Sequence, residues 1–338
     1  MAGMTDTAFR RLVKRRGGCG LVVSEMVSSE GLVRGIDRTL EYAEYTEEER
    51  PVSIQIFGGD PAVMADAAQI VEGMGADIVD VNMGCPVPKI AKHHAGCSLM
   101  RQPGHAAGII ARMAKAVSIP VTVKMRAGWN EHEINAPRLA RMVQDAGAQA
   151  VAVHGRTAAQ SYRGESDWRL IGRVAEDLSI PVFGSGDCVE AEQVTSRLRL
   201  SGVEGVLVGR GALRNPWIFS QAALALQGTP PEPVSLEARG RFLLEYIDLL
   251  LEEGEDEPSG FRHAAPGTVP SGPAPARNRE RWVINKLRAL GAWYTKGLEG
   301  GSHLRVRINS AESVRQLQDE IQSFFFAPVG QGARELVT

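Results

Sequence analysis

A cysteine follows an apolar, strand-like run in the stretch DIVDVNMGCPVPKIAKHHAGCSLM, residues 77–100. Cys85 lies between Gly84 and Pro86, two residue types that define a turn and so direct a side chain. A free thiol is mostly protonated at neutral pH, so it can donate a proton as well as attack an electrophile. The alternative is that Cys85 is a small buried apolar side chain, the commonest fate of a free cysteine.

A zinc site formed by Cys85, His93, His94 and Cys97 is a further possibility for this stretch. No CxxC or HxxxH spacing supports it, and adjacent histidines rarely bind one ion, so we predict no metal site. The chain has 4 cysteines at irregular spacing, which give no disulfide framework. We therefore expect a reducing, cytoplasmic setting, in which Cys19, Cys97 and Cys188 are structural.

Polar residues recur in the second half of predicted strands or just after them. In a (β/α) barrel such positions converge on the C-terminal face, where the loops build the active site. In an open sheet they would cluster only where the strand order reverses. The pattern predicts one site formed by Gln55, Asn82, Cys85, Lys124, Arg126, His154, Ser185, Asp187 and Arg210.

Lys124 and His154 each end a predicted strand, as does Gln55. A buried ammonium needs an anionic or electron-rich partner, and a flavin ring that gathers negative charge on reduction is one. The alternatives are a structural ion pair for Lys124, a hydrogen-bonded core position for His154 and a strand cap for Gln55.

Two consecutive predicted strands end in glycine-rich turns, PVFGSGD at 181–187 and GVLVGRG at 205–211. Such turns expose backbone N–H groups, and the loops after strands seven and eight are the usual phosphate site of this barrel class. Arg210 would add a charge-assisted contact. We predict phosphate binding here; the alternative is that the glycines only make tight turns.

The elements that position these residues follow from a repeating pattern. Seven β-branched runs alternate with segments of helical periodicity, which predicts an α/β fold, a (β/α)8 TIM barrel over residues 1–228. The chain opens with MAGMTD, which is typical of the loop after a strand, so we predict that the first strand is truncated; an open sheet is the alternative. The strands are expected at 20–27, 51–58, 77–84, 120–128, 150–157, 181–187 and 202–211.

A small helical domain is predicted over 235–325, with a Pro/Gly-rich loop or disordered insertion at about 256–278. The net charge of −2 excludes a globally basic nucleic-acid binder, and no apolar run is long enough to span a membrane. Two local basic runs remain: RRLVKRR at 10–16 and the segment from Arg277 to Arg315. Each alone is typical of a solvated helix face.

Several motifs together resemble the tRNA-dihydrouridine synthase family, most closely its bacterial B-type. The resemblance covers residues 1–225 densely and 280–312 more thinly. It implies an FMN-bound barrel, NADPH as electron donor, tRNA as substrate and a helical domain that helps to hold the tRNA. Both basic runs are therefore candidates for tRNA binding. The motifs are MAGMTD, NMGCP followed by Lys89, VKMRAGW, VHGRT with Tyr162 beyond it, GSGD, VGRGALRNPWIF and WYTKGL.

The resemblance also implies a role for each residue. Cys85 matches the catalytic acid, which would protonate C5 of a uracil while reduced FMN delivers hydride to C6. Asn82, Arg126 and Arg156 would bind the substrate. Flavin contacts would come from Met1, Ala2, Gln55, Lys124 and His154, and phosphate contacts from Ser185 (usually asparagine in the family), Gly186, Asp187, Gly209 and Arg210.

Two other functions are compatible with the residues. One is an FMN-dependent reductase of a free small molecule, of the dihydroorotate or enone type, which would turn over without RNA. The other is a non-catalytic tRNA-binding barrel, which would bind tRNA in a salt-sensitive way without flavin.

Overall fold

A computed structural model describes residues 1, 3–91, 94–252, 257–265 and 276–326 of the chain. Its centre is a curled parallel sheet in which each strand is followed by helical structure, as in a TIM barrel. β1 and β2 both pair with β4 and form two halves of one interrupted strand, so the sheet has seven strand positions, as predicted. The strands are β1 Val22–Val23, β2 Val27–Ser28, β3 Tyr45–Thr46, β4 Val52–Phe57, β5 Ile78–Met83, β6 Val121–Arg126, β7 Ala150–His154, β8 Val182–Ser185, β9 Gly205–Leu207 and β10 Arg262–His263.

Helices cover the outside of the sheet and form the C-terminal region. None of those in the described ranges is long and apolar enough to cross a membrane. They are α1 Thr7–Arg15, α2 Ser29–Val33, α3 Asp37–Ala43, α4 Pro61–Gly73, α5 Pro88–Ala91, α6 Pro103–Ala116, α7 Ala136–Asp145, α8 Trp168–Asp177, α9 Ala191–Leu200, α10 Arg210–Arg214, α11 Ile218–Leu226, α12 Leu236–Glu252, α13 Ala276–Tyr294, α14 Gly301–Ser310 and α15 Val314–Phe325.

The place of a first barrel strand holds no strand among the described residues, and β9 is not paired with β1. The N-terminal loop lies there instead. The backbone N–H groups of Gly3 and Thr5 donate to the buried carboxylate of Glu25, at 2.7 and 3.1 Å. Across the gap, the Met1 side chain lies against Gly209, which follows β9. The loop therefore contacts both edges of the sheet.

Apolar and polar residues alternate along the central strands. In β5, Val79 and Val81 pack against the helices in the main core, whereas Asp80 and Asn82 face the inside of the sheet. Successive strand residues point to opposite faces, so the concave face is polar over several strands. That face leads to the carboxyl ends of the strands.

The early basic run is not a free cationic surface, contrary to its candidacy for RNA binding. Arg10 is buried and bonds Glu49, and Arg11 and Arg15 both pair with Glu48, each at 2.9 Å. The opposite side of α1 packs on α12, in a second core shared by the helical region. These arginines therefore hold α1 against its neighbours. The domain boundaries 1–228 and 235–325 stay predictions.

Part of the Pro/Gly-rich segment 256–278 has regular structure, unlike the loop or disordered linker that its composition predicts. Arg262 and His263 form β10, antiparallel to β3 of the barrel region. The Arg262 side chain is 5% exposed and lies 2.6 Å from Glu257, and the His263 ring stacks on Tyr45. Burial of these side chains offsets the entropy of ordering this stretch.

Candidate functional site

The loop that carries Cys85 is fixed by a hydrogen-bonded amide. Asn82, at the end of β5, accepts hydrogen bonds through Oδ1 from the backbone N–H groups of Gly84 (3.1 Å) and Cys85 (2.9 Å). On the other side, the carbonyl of Cys85 accepts from the N–H of Cys97 at 3.0 Å. The thiol is half-buried. Its backbone is thus held from two sides at the mouth of the half-barrel.

Lys124 lies beside this loop, in register with Asn82 on the neighbouring strand β6. Burial, reinforced by the nearby Arg126 and opposed by Asp80, lowers the pKa of its ammonium to about 8. Within the described ranges, Lys124 Nζ has no hydrogen-bond or ion-pair partner. The structural ion pair considered from the sequence is therefore not formed, and the ammonium is available to a ligand.

His154 ends β7 and sits in register with Arg126 on one side and Ser185 on the other. Its Nε2 lies 3.3 Å from a terminal nitrogen of Arg156. A guanidinium can only donate, so Nε2 accepts and the proton of the neutral ring is on Nδ1. Burial, reinforced by Lys124, Arg126 and Arg156, lowers the pKa of His154 to about 3. His154 is therefore a neutral N–H donor at physiological pH.

The glycine turn after β8 is held by an ion pair. Arg156 bonds both carboxylate oxygens of Asp187, at 2.6 and 2.8 Å, and the N–H of Ser166 donates to the same carboxylate. Burial opposes ionisation of Asp187, but Arg156 outweighs it and lowers the pKa of that carboxyl. The side chain of Asp187 is thus engaged within the protein, and only its backbone N–H can serve a phosphate.

Both glycine turns present unpaired backbone donors. In the described part of the chain, the N–H groups of Gly186, Asp187 and Gly209 meet no acceptor. A Cβ at Gly186 would collide with Ser166, and one at Gly209 would lie 3.0 Å from Met1. Arg210 stands at the rim, 3.9 Å from Asp187 and stacked 4.6 Å from the ring of Tyr162. The turns therefore offer donors suited to an anion, and phosphate binding at them stays a prediction.

The two arginines predicted to bind substrate are buried and engaged with the protein. Arg126 donates to the carbonyls of Gly84, Thr157 and Ser161, at 2.7, 2.9 and 3.0 Å. Arg156 donates to Asp187 and to His154, as described above. Their substrate role stays a prediction, and these contacts show that each guanidinium ties loops together.

Most of the predicted residues come together on the concave face and its C-terminal rim. Neighbouring strands place Asn82 beside Lys124 and His154 beside Ser185, and Gln55 bonds Asn82. Ala2 and His93 lie outside the described residues. In the ranges with described placement, no group of three His, Cys, Asp or Glu side chains is arranged for a metal ion.

Three functional candidates were missed from the sequence: Asp80, Thr122 and Glu25. Asp80 and Thr122 lie beneath the site and bond each other at 2.6 Å. The alternation VDVNM in β5 was the signal for Asp80, since a buried strand residue two positions from Asn82 must share its face. No sequence pattern marks Glu25, because its carboxylate acts by accepting hydrogen bonds from the N-terminal loop, which only the fold brings near.

Fold and site together define a class: a TIM-like half-barrel with a thiol, a lysine and two glycine turns at the carboxyl ends of its strands, followed by a helical region. The family model for dihydrouridine synthase (Dus) matches residues 1–266 of the chain. The chain belongs to the dihydrouridine synthase family.

Named relatives match almost the whole chain. It is 42% identical over 327 residues to "tRNA-dihydrouridine synthase B" of Pseudomonas aeruginosa, covering 96% of this chain and 91% of the relative. It is 35% identical over 336 residues to "Probable tRNA-dihydrouridine synthase" of Rickettsia bellii, covering 98% of this chain and 94% of the relative. A 36% match over 326 residues is found with the B-type synthase of Pseudomonas putida.

Proposed function

We propose that the protein reduces uridine in tRNA to 5,6-dihydrouridine, with FMN as bound cofactor and NADPH as electron donor. The observation that carries this proposal is the placement of Cys85, held by Asn82 next to Lys124 on the neighbouring strand. The names of relatives that cover nearly all of the chain support the reaction and the substrate.

The side chains around the mouth fit FMN. Lys124 offers a cation that is bonded to none of the residues whose placement is described, and His154 offers a neutral Nδ1–H donor. The two glycine turns offer unpaired backbone N–H groups to a phosphate, with Arg210 at the rim. When bound, FMN supplies the hydride that C6 of the uracil receives.

The remaining chemistry falls to the residues of the chain. The Cys85 thiol donates its proton to C5, so that hydride and proton together add two hydrogens across the C5–C6 double bond, and the thiolate recovers a proton from solvent. Lys124 offsets negative charge that builds up beside it. Because the Cys85 backbone is fixed by hydrogen bonds on both sides, little reorientation is needed for the proton transfer.

The target uridine has to leave its base stack to reach this mouth. Folded RNA is gripped mainly through its phosphates and riboses. The exposed cations Arg281, Lys296 and Arg315 of the C-terminal helical region are the candidates for that grip. The early basic run is not, because Arg10, Arg11 and Arg15 are engaged with Glu48 and Glu49, and Arg16 pairs with Glu245.

The test is to incubate the purified chain with FMN, NADPH and unmodified tRNA and to measure dihydrouridine in the digested nucleosides by mass spectrometry. Product that requires both FMN and tRNA is expected. Flavin-dependent NADPH oxidation with a free enone or dihydroorotate, without product in tRNA, would replace the proposal by a small-molecule reductase. Salt-sensitive tRNA binding without flavin binding would replace it by a non-catalytic barrel.

A further inference from the structure

A chain of hydrogen bonds links the loop of Cys85 to the buried carboxylate of Asp80, which lies two residues before Asn82 on the same strand, β5. Asn82 Nδ2 donates to Gln55 Oε1 at 2.8 Å, and Gln55 Nε2 donates to Asp80 Oδ2 at 2.7 Å. Thr122 donates to the other oxygen, Oδ1, at 2.6 Å. Gln55, Asp80 and Thr122 occupy one row, since each is in register with the next on β4, β5 and β6.

The direction of this chain is forced at its outer end. The backbone N–H groups of Gly84 and Cys85 can only donate, so Asn82 must turn its oxygen toward them. Its nitrogen then faces Gln55, which must turn its own oxygen outward. The nitrogen of Gln55 is thereby left facing inward, where it needs an acceptor. Asp80 is that acceptor.

The burial of its three side chains makes this hydrogen-bond chain hard to replace by bonds to water. Gln55, Asp80 and Asn82 are 7%, 6% and 8% exposed, so water is a poor substitute for any of these partners. An unpaired buried donor is costly, and the amides would rotate or shift to avoid it. Rotation of the Gln55 amide would face its NH2 group against that of Asn82. The answering rotation of Asn82 would turn its NH2 group toward the N–H groups of Gly84 and Cys85 and release the loop.

We infer that Asp80 is a positioning residue, which through Gln55 and Asn82 sets the amide polarity that holds the backbone of Cys85 at the mouth. This inference rests on the proposed function for its catalytic meaning, but the positioning itself does not depend on activity. Asp80 is also close enough to Lys124 to favour its cationic form. The same carboxylate thus serves both the proton donor and the cation of the site.

The experiment measures the alkylation rate of Cys85 by iodoacetamide, with peptide mass spectrometry, on protein free of flavin and RNA. Asp80→Ala removes the acceptor, and Gln55→Met interrupts the chain in its middle with an apolar side chain of similar length. Thr122→Val is the matched control, because it removes a bond to the same carboxylate but leaves the chain to Cys85 intact. Cys19, half-buried elsewhere, is the internal reference.

In Asp80→Ala and Gln55→Met we expect Cys85 to be alkylated about fivefold faster. Loss of one net hydrogen bond makes local opening of the Cys85 loop more frequent by about that factor. Thr122→Val and the Cys19 rate should stay within about twofold of wild type. If Asp80→Ala fails to fold, Gln55→Met alone decides. An unchanged Cys85 rate in a folded variant, or an equal increase in Thr122→Val, would overturn the inference.

Turnover separates this inference from the proposed function. With tRNA and FMN, Asp80→Ala should lose up to about a hundredfold in kcat, with KM for tRNA nearly unchanged, because a small displacement of an acid affects chemistry more than binding. Faster alkylation without any dihydrouridine synthesis in wild type would leave the positioning intact and refute only the proposed reaction. A wild-type kcat in a folded Asp80→Ala variant would refute the catalytic role of this hydrogen-bond chain.

Discussion

Lys286 of α13 lies 3.0 Å from Asp6, the residue that caps the N-terminus of α1. Asp6 also accepts from the hydroxyl of Tyr246 at 2.8 Å, so three parts of the chain meet at one carboxylate. Burial alone would lower the pKa of Lys286, but the carboxylates of Asp6 and Glu25 outweigh it and raise that pKa. One cation of the predicted RNA-binding segment is therefore used to fix the helical region to the N-terminal loop.

Replacing Lys286 by methionine should lower the free energy of unfolding by about 1–3 kcal/mol, because it leaves a largely buried carboxylate without its cation. Urea unfolding followed by circular dichroism measures this change. Arg281→Met, at an exposed position on the same helix, is the control and should stay within about 0.5 kcal/mol of wild type. Equal losses in the two variants would show that the ion pair contributes nothing specific.

His154 should make the protein less stable in acid. Its pKa is about 3 in the folded protein and near 6.5 when unfolded, so between these values the unfolded chain binds a proton that the folded chain excludes. The free energy of unfolding then falls as pH falls, by up to about 1.4 kcal/mol per pH unit from this residue.

The variant His154→Gln keeps an acceptor for Arg156 but cannot titrate, so its stability should fall less steeply than wild type between pH 6 and about 4. Thermal unfolding at a series of pH values measures the two slopes. The exposed His132→Gln is the control and should follow wild type. Parallel curves for wild type and His154→Gln would show that the imidazole is not buried in its neutral form.

Lys124 should couple flavin binding to pH. Its pKa is about 8 in the protein without ligand, and an electron-rich ligand would raise it, so binding takes up a proton above that pH. FMN affinity should therefore fall by up to about tenfold per unit as pH rises above 8. Lys124→Met should bind FMN more weakly at pH 7 and show little change with pH, whereas Lys115→Met, at an exposed site, should match wild type. Flavin fluorescence titrations measure the FMN affinity at each pH. A wild-type affinity that does not change with pH would contradict the role of Lys124 in flavin binding.

The exposed C-terminal cations should dominate the salt dependence of tRNA binding. Replacing Arg281, Lys296 and Arg315 together by alanine should reduce the slope of log affinity against log salt by about 2, since each phosphate contact contributes about 0.7 to 0.9. Arg15→Ala, in the early basic run, should leave the slope unchanged, because Arg15 is paired with Glu48. If Arg15→Ala reduced the slope more than the triple variant does, the early basic run would belong to the RNA-binding surface.

The sequence was sufficient for the strands and for the face on which the polar residues meet, because alternation of βα units and strand ends is local information. Each of the seven predicted runs holds a strand of the central sheet, from Val22–Val23 to Gly205–Leu207, although β2 ends one residue beyond the first run, at Ser28. The short strands β3 and β10 were not predicted. The interruption of the first run at Ser24–Met26 was not predictable, since it depends on Glu25 binding the N-terminal loop.

Charges gave the least reliable predictions, because a residue's charge does not reveal its partner. The sequence pattern predicts Arg10 and Arg15 to be surface cations. Their partners in the fold, Glu49 and Glu48, lie more than thirty positions away in the sequence, so the pattern does not reveal them. Arg156 illustrates the same difficulty at the site, where its partner Asp187 comes from the next barrel loop. Only the folded chain brings such pairs together.

The central claim is that Cys85 gives the proton that completes dihydrouridine. The most direct measurement is a single turnover in which protein with reduced FMN is mixed with unmodified tRNA, for wild type and for Cys85→Ala, and dihydrouridine is quantified over time. We expect Cys85→Ala to bind FMN and tRNA as wild type does and to form product at least about a hundredfold more slowly. Product at the wild-type rate in Cys85→Ala would contradict the account.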